Sequence, residues 1–339
     1  MINYALNTKI NVMISKLLNE NDYKKLTKLN SLALVINELK IINDGYRKIF
    51  EEFTDGNMIK RQNIENRLML CLINCYENIF KFINNVNIKR YIKLFYLKLK
   101  IDLIKLGLSA VKDKRDLSLE YYESDKLGLD TSRLFSDDIN NIEDFFNVIR
   151  DTEFFDVINQ PYIDKHNLFE LDTKLDFYYY EKVFKFNKLL SGGEKKILDE
   201  INKIELEMLN IIYIYRLKVF FAFDKDKIYA YLAPRKYKLS SSDINKLIAV
   251  DNKIELEDLI ISYKNNKVFK NKEFSIEKFY YYNLNYFYKK YAKFQKNSVV
   301  RILYYIFLKK IEINNITSLI EGIRYRLNPE SILNYLYFM

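Results

Sequence analysis

The sequence is short of the residues that interrupt helices. Its 339 residues include only seven glycines and three prolines. An all-β protein or a doubly wound sheet needs more turn residues than that, whereas long helices need few. There is no tryptophan and a single histidine, His166, in the loop-like stretch INQPYIDKHNLF. Chemistry that recruits imidazole therefore has one candidate, and a zinc site would need more histidines or clustered cysteines. The two cysteines, Cys71 and Cys75, fall at i and i+4 of an apolar stretch. They read as small hydrophobes on one helix face, in a reducing compartment. Long apolar runs are missing as well: ILYYIFL at 302–308 is far below the roughly 20 residues of a membrane-spanning helix. The opening MINYALNTKINVMISKLLNE is broken by polar residues and lacks a signal-peptide core. These absences point to a soluble, mainly helical chain with no catalytic apparatus and no cofactor.

Hydrophobic residues make up 49% of the chain, enough to bury sizeable cores, and 55 Lys and Arg against 45 Asp and Glu leave a net charge of +10. Such an excess can mark an anionic partner, and YKKYAKFQK at 288–296 mixes Lys with aromatics that could stack on bases. A basic helical-repeat scaffold that binds nucleic acid is thus the alternative reading. It is the weaker one: acids are plentiful, and Lys at helical spacing forms a solvated face, so no nucleic acid is expected as a partner.

Residues 190–196, LSGGEKK, resemble the signature loop of nucleotide-binding cassettes. That loop acts only opposite a phosphate cradle, which needs two glycines five apart followed by Lys and Ser or Thr. No two glycines here have that spacing, and no GxGxxG occurs. Ser191 with Glu194 instead fits the S-x-x-E capping box that opens a helix.

Self-similarity carries the most information. DINNI at 138–142 recurs as DINKL at 243–247, an offset of 105. The same offset aligns KLKIDLIKL (98–106), NKIELEMLNI (202–211) and LKKIEINNI (308–316), placing Asp102, Glu207 and Glu312 in register. Around them runs a 4,3,4,3,4 apolar stripe: Ile92, Tyr96, Leu99, Leu103, Leu106 and Ala110 in the first unit, with counterparts 105 and 210 residues on. Only Lys309 breaks the pattern. Aromatic helices LDFYYYEKVFKF (175–186) and EKFYYYNLNYF (277–287) precede the second and third stripes, and NIENRLMLCLINCYENIF (63–80) precedes the first. Segments 112–137 and 224–242 join the units, and KIYAYLA (227–233) is a candidate strand. A mid-helix acid repeated three times invites a catalytic or ion-binding reading. However, Glu207 and Glu312 are followed three residues on by Asn210 and Asn315, on the same helix face, a pattern suited to hydrogen-bonding a neighbouring turn or loop.

The triplicated unit is accompanied by the segment EINKIELEMLNIIYIYRLK (200–218), with Arg216 and Lys218, and by the hairpin opening ELDTKLDFYYYEKVF. With the ending KKIEINNITSLIEGIRYRL and the start YALNTKINVMISKLLNENDYKKL, they resemble the C-type, also called d-type, subunit of rotary V-type and A-type ATPases, over nearly the whole chain. The first unit departs from the pattern, with Lys105 in place of the Asn and no YYY run. The resemblance implies an all-α fold of three homologous units of about 105 residues in a pseudo-three-fold funnel, at 1–118, 119–223 and 224–339. It also implies a non-catalytic central-stalk subunit, present as a single copy on the cytoplasmic face of the membrane. That subunit would couple the shaft subunits of D and F type to the proteolipid rotor ring during proton or sodium transport. The purified chain is accordingly expected to show no ATP binding by calorimetry. Micromolar binding abolished by Ser191→Ala would reverse the reading of LSGGEKK.

Overall fold

The computed structural model describes residues 4–53, 61–114, 127–134, 136, 138–161, 163–164, 167–233, 239–263, 274–294 and 298–338. The fold is all-α, with no strand among the described residues. Four short helices come first: α1 (Tyr4–Ser15), α2 (Glu20–Leu26), α3 (Leu32–Ile42) and α4 (Asp44–Ile49). A longer pair follows, α5 (Arg61–Phe80) and α6 (Val86–Asp113). The plan then repeats. Short helices α7 (Thr131–Leu134), α8 (Ile142–Val148) and α9 (Glu153–Ile158) lead to the pair α10 (Leu168–Asn187) and α11 (Gly192–Val219). Next, α12 (Lys225–Ala230), α13 (Ser241–Ala249) and α14 (Lys253–Tyr263) lead to α15 (Ile276–Phe294) and α16 (Ser298–Arg324), and α17 (Pro329–Tyr335) closes the chain. The long helices α6, α11 and α16 have 28, 28 and 27 residues and begin 106 residues apart.

Every position of the eighteen-residue stripe is withdrawn from solvent: fifteen are buried and three, Tyr96, Leu106 and Ile313, are half-buried. The period read from the sequence is therefore the period of burial. Two other readings need correction. KIYAYLA is not a strand, because Lys225–Ala230 forms α12, which buries only Ile228. DINNI and DINKL are not equivalent either. Ile142 of DINNI is the first residue of α8, capped by Asn141, whereas Asp243 of DINKL lies a turn inside α13, capped by Ser240. The two caps are 99 residues apart, because the segments joining the repeats differ in length.

With few glycines and prolines available, other residues end the helices. Asparagine is the N-cap of α2, α4, α6, α8, α10 and α17, its side-chain oxygen accepting from backbone N–H groups of the first turn. At or just beyond the C-terminal ends of α6, α11 and α16 the left-handed conformation is taken by Lys114, Ala222 and Arg326. Glycine usually fills that role, since a Cβ there costs about 1–2 kcal/mol.

The chain divides into two compact units, Met1–Gln160 with Arg301–Met339, and Pro161–Val300. In the first, α2–α5 close on α16: Leu26, Ile36, Tyr46, Phe50 and Ile64 share one core with Ile316, Leu319 and Ile320. In the second, α11 is buried around its circumference by α10, α15 and the short helices α12–α14. From Ile201 to Leu217 its buried residues fall on every side, so this stretch of α11 forms the interior of the unit.

Close approach in the first unit depends on two glycines. A Cβ on Gly107 of α6 would come within 2.4 Å of the Phe145 ring of α8, and one on Gly322 of α16 within 2.6 Å of Ile332 of α17. Gly107→Ala gains about 1 kcal/mol of helix propensity but forces an aromatic ring aside, at about 1–3 kcal/mol. A net loss of stability is expected in urea melts, smaller in a Phe145→Leu background.

Candidate functional site: repeated Glu–Asn clamps on the long helices

Glu207 and Asn210 stand three residues apart on α11, so both side chains leave the same face, and both are almost fully buried. Glu207 Oε2 accepts from the Leu239 N–H at 2.7 Å. Asn210 takes both backbone groups of Ala233, accepting from its N–H at 2.8 Å and donating to its carbonyl at 3.3 Å. Leu239 directly precedes Ser240, the N-cap of α13, which forms a full capping box with Asp243. Two adjacent turns of α11 thus pin the end of one short helical segment and the start of the next.

The same device recurs on α16. Glu312 Oε2 accepts from the Leu18 N–H at 2.5 Å, while Asn315 accepts from the Tyr337 N–H at 2.8 Å and donates to its carbonyl at 2.9 Å. Leu18 precedes Asn19, the N-cap of α2, which forms its own capping box with Asp22. The geometry matches but the connectivity does not. Both partners of the α11 clamp follow it in the chain, by 23 and 32 residues. On α16 the Asn partner follows by 22 residues, and the Glu partner lies 294 residues earlier. The N-terminal segment occupies the place that a following segment fills beside α11.

Glu312 carries a further load. Tyr46 of α4 donates its hydroxyl to Oε1 at 2.5 Å, and the buried Lys309 ammonium contacts the same oxygen and donates to the Tyr46 hydroxyl at 3.0 Å. Burial, the largest single influence, lowers the pKa of Lys309, but Glu312 with the smaller contributions of Cys71, Cys75 and Tyr305 together outweighs it and holds the ammonium charged. Burial first, then Glu312, pushes the Tyr46 hydroxyl up, so it stays a donor. The one polar residue of the apolar stripe is therefore the counter-ion of the clamp. The sequence did contain the signal, a lysine three residues before the repeated acid, but nothing in it pointed to Tyr46.

Asp102 of α6 is placed differently. It is half-buried and pairs with Lys98 at 3.4 Å and with Lys310 of α16 at 3.3 Å. The three repeated acids thus have separate sets of partners. Arg216 pairs with Glu277 of α15 at 3.1 Å, and Lys218 donates to the Ile248 carbonyl in the last turn of α13. Ser191 is the N-cap of α11, yet its hydroxyl makes no capping bond. Gly192, the first residue after it, sits at φ 64°, outside helical dihedrals, so the following N–H groups are not presented to the hydroxyl. That half of the expected capping box is not formed; the Glu194 side chain and His166 lie outside the described residues.

The model of the ATP synthase (C/AC39) subunit family matches residues 6–335. The chain belongs to this family. No curated protein matches it in sequence. The C/AC39 match runs through both compact units and includes Glu207, Asn210, Glu312 and Asn315, so the protein is a subunit of a rotary ATPase of the V-type class. No helix among its described residues is long and apolar enough to cross a membrane.

Asn210→Ala takes the side-chain partner from the buried N–H and C=O of Ala233, at about 1–3 kcal/mol per group, and Asn315→Ala does the same at the half-buried Tyr337, toward the lower end of that range. Asp102→Asn removes only partly exposed ion pairs and is expected to cost under about 1 kcal/mol. Urea denaturation of the three variants should separate the two clamp asparagines from the aspartate.

Proposed function

We propose that this C/AC39 family member is the non-catalytic central-stalk subunit of its ATPase, a socket that receives the rotating shaft and seats it on the membrane proteolipid ring. The family match over residues 6–335 carries this reading. In the proposal the chain forms three homologous units, 1–118, 119–223 and 224–339, around a pseudo-three-fold axis, as a single copy on the cytoplasmic face. The 106-residue spacing of α6, α11 and α16 supports the three units. A quasi-cyclic adaptor suits a ring of identical subunits because it offers them repeated contacts.

Torque passes through such a part only if it does not yield. The clamps support that requirement, since they tie the short helical segments to α11 through buried hydrogen bonds and to α16 through half-buried ones, which water-poor surroundings make strong. The repeated acids serve this scaffold and perform no chemistry of their own. The charge of +10 assists docking, since each Lys or Arg near an anionic leaflet contributes about 1 kcal/mol, while shape and apolar contact set specificity.

Membranes reconstituted with the other subunits but without this one should pump no ions, while the detached head continues to hydrolyse ATP. Pumping at the normal rate without it would refute the socket role.

A further inference from the structure

Where α1 meets the turn between α5 and α6, two acid-free stretches of sequence come together. No Asp or Glu occurs before Glu20 or between Glu77 and Asp102, while Lys9, Lys81, Lys89, Arg90 and Lys93 fall within those stretches. Folding joins the two, since the Lys9 ammonium stands 3.2 Å from the centre of the Phe82 ring. Arg301 of α16 adds a further cation beside α1, donating to Asn11 Oδ1 at 3.1 Å. Among the described residues, none of these cations is paired with a carboxylate.

The same end exposes apolar surface. Phe82 and Val86, on either side of the turn, are 44% and 60% exposed, and Val12 of α1 is 49% exposed. The turn that presents them is fixed from within: Ile83 is buried, and Asn85 caps α6, its Oδ1 accepting from the Asn87 and Ile88 N–H groups at 2.9 and 3.2 Å. Little ordering is left for a partner to impose. Lys89 and Lys93 stand over the Phe80 ring at 5.3 and 5.8 Å, so the cations gather at the apolar tip itself. Apolar side chains ringed by cations without counter-ions match a layer that is anionic at its surface and hydrocarbon beneath. Nucleic acid would use the cations and could stack on Phe82, but Val12 and Val86 offer no ring to a base.

We propose, resting on the reading of the chain as a rotor subunit at a membrane, that this tip is a lipid-docking surface: Phe82 and Val86 enter the headgroup layer of an anionic bilayer, and the surrounding Lys and Arg hold its phosphates. Neither part suffices alone. The apolar area of one hairpin tip is too small to anchor a chain of this size, and cations facing water are screened within about 10 Å at ordinary ionic strength. Together they give a weak, reversible contact, as a part that turns with the rotor requires. The tip also fixes which end of the first unit faces the bilayer.

Flotation of the purified full chain with vesicles of phosphatidylcholine, with and without phosphatidylglycerol, tests the assignment. The chain should bind the vesicles that contain phosphatidylglycerol, bind the others far more weakly, and be released as salt rises. Lys81→Gln with Arg90→Gln should weaken partitioning by about fivefold per residue, and Phe82→Ser by about three- to tenfold. These side chains are exposed, so the variants should keep the wild-type helical spectrum and melting temperature. Lys185→Gln with Lys227→Gln changes the net charge equally, at exposed positions of the second unit, and should leave binding unchanged. No binding to the anionic vesicles, an equal loss in the Lys185 and Lys227 variant, or full binding by Phe82→Ser would each overturn the docking surface. Binding to duplex DNA that is tighter than to vesicles and indifferent to Phe82→Ser would overturn it in favour of nucleic acid. Pumping that needs this subunit while vesicle binding is absent would sink the lipid contact and leave the socket standing; vesicle binding by a chain that pumping does not need would remove the socket alone.

Discussion

Short helices joined by brief connections leave backbone N–H and C=O groups at their ends, and where those ends are buried each group must find a partner or cost about 1–3 kcal/mol. This protein meets the requirement from mid-helix. A glutamate and an asparagine one turn apart on α11, and again on α16, reach out to backbone groups at the start and end of neighbouring segments. An asparagine that both accepts from and donates to one residue copies the bonding of a strand neighbour, which gives an all-helical fold the fixed register that a sheet would otherwise supply. The capping boxes at Ser240 and Asn19 complete the arrangement from the other side.

The two clamps differ in how they handle charge. Glu207 takes a backbone N–H on the buried central turns of α11. Glu312 sits beside Lys309 and Tyr46, so the α16 clamp contains a buried ion pair with a third polar member. Breaking such a pair by removing one partner costs about 3–5 kcal/mol, because the remaining charge stays buried. One lysine in place of an apolar stripe residue thus serves the packing of the N-terminal segment.

Scarcity of glycine shapes the fold at both ends of the scale. Helix starts are capped by asparagine, and helix ends turn through non-glycine residues in the left-handed region. Glycine is kept where its missing Cβ is needed, at Gly107 and Gly322, to bring short helices against long ones. Replacing the carbon there strains a contact and not merely a conformation.

The sequence by itself determined the helical class, the repeat and the burial stripe, because a 3.6-residue period and a fixed offset are local properties that survive without knowledge of neighbours. It also determined the family, through the order of segments across nearly the whole chain. What it could not carry was partnership. That Glu312 would meet Leu18, and Lys309 would meet Tyr46, depends on segments 294 and 263 residues apart being brought together. The Ser191 box read well as a motif, yet the left-handed Gly192 turned the first N–H groups away from it. Cys71 and Cys75 share one face of a helix, as their spacing implies, but the Tyr305 hydroxyl that meets Cys75 comes from another helix. Spacing fixes which side chains share a face; only tertiary packing decides what that face meets, and with it the charge, the hydrogen bonds and the chemistry.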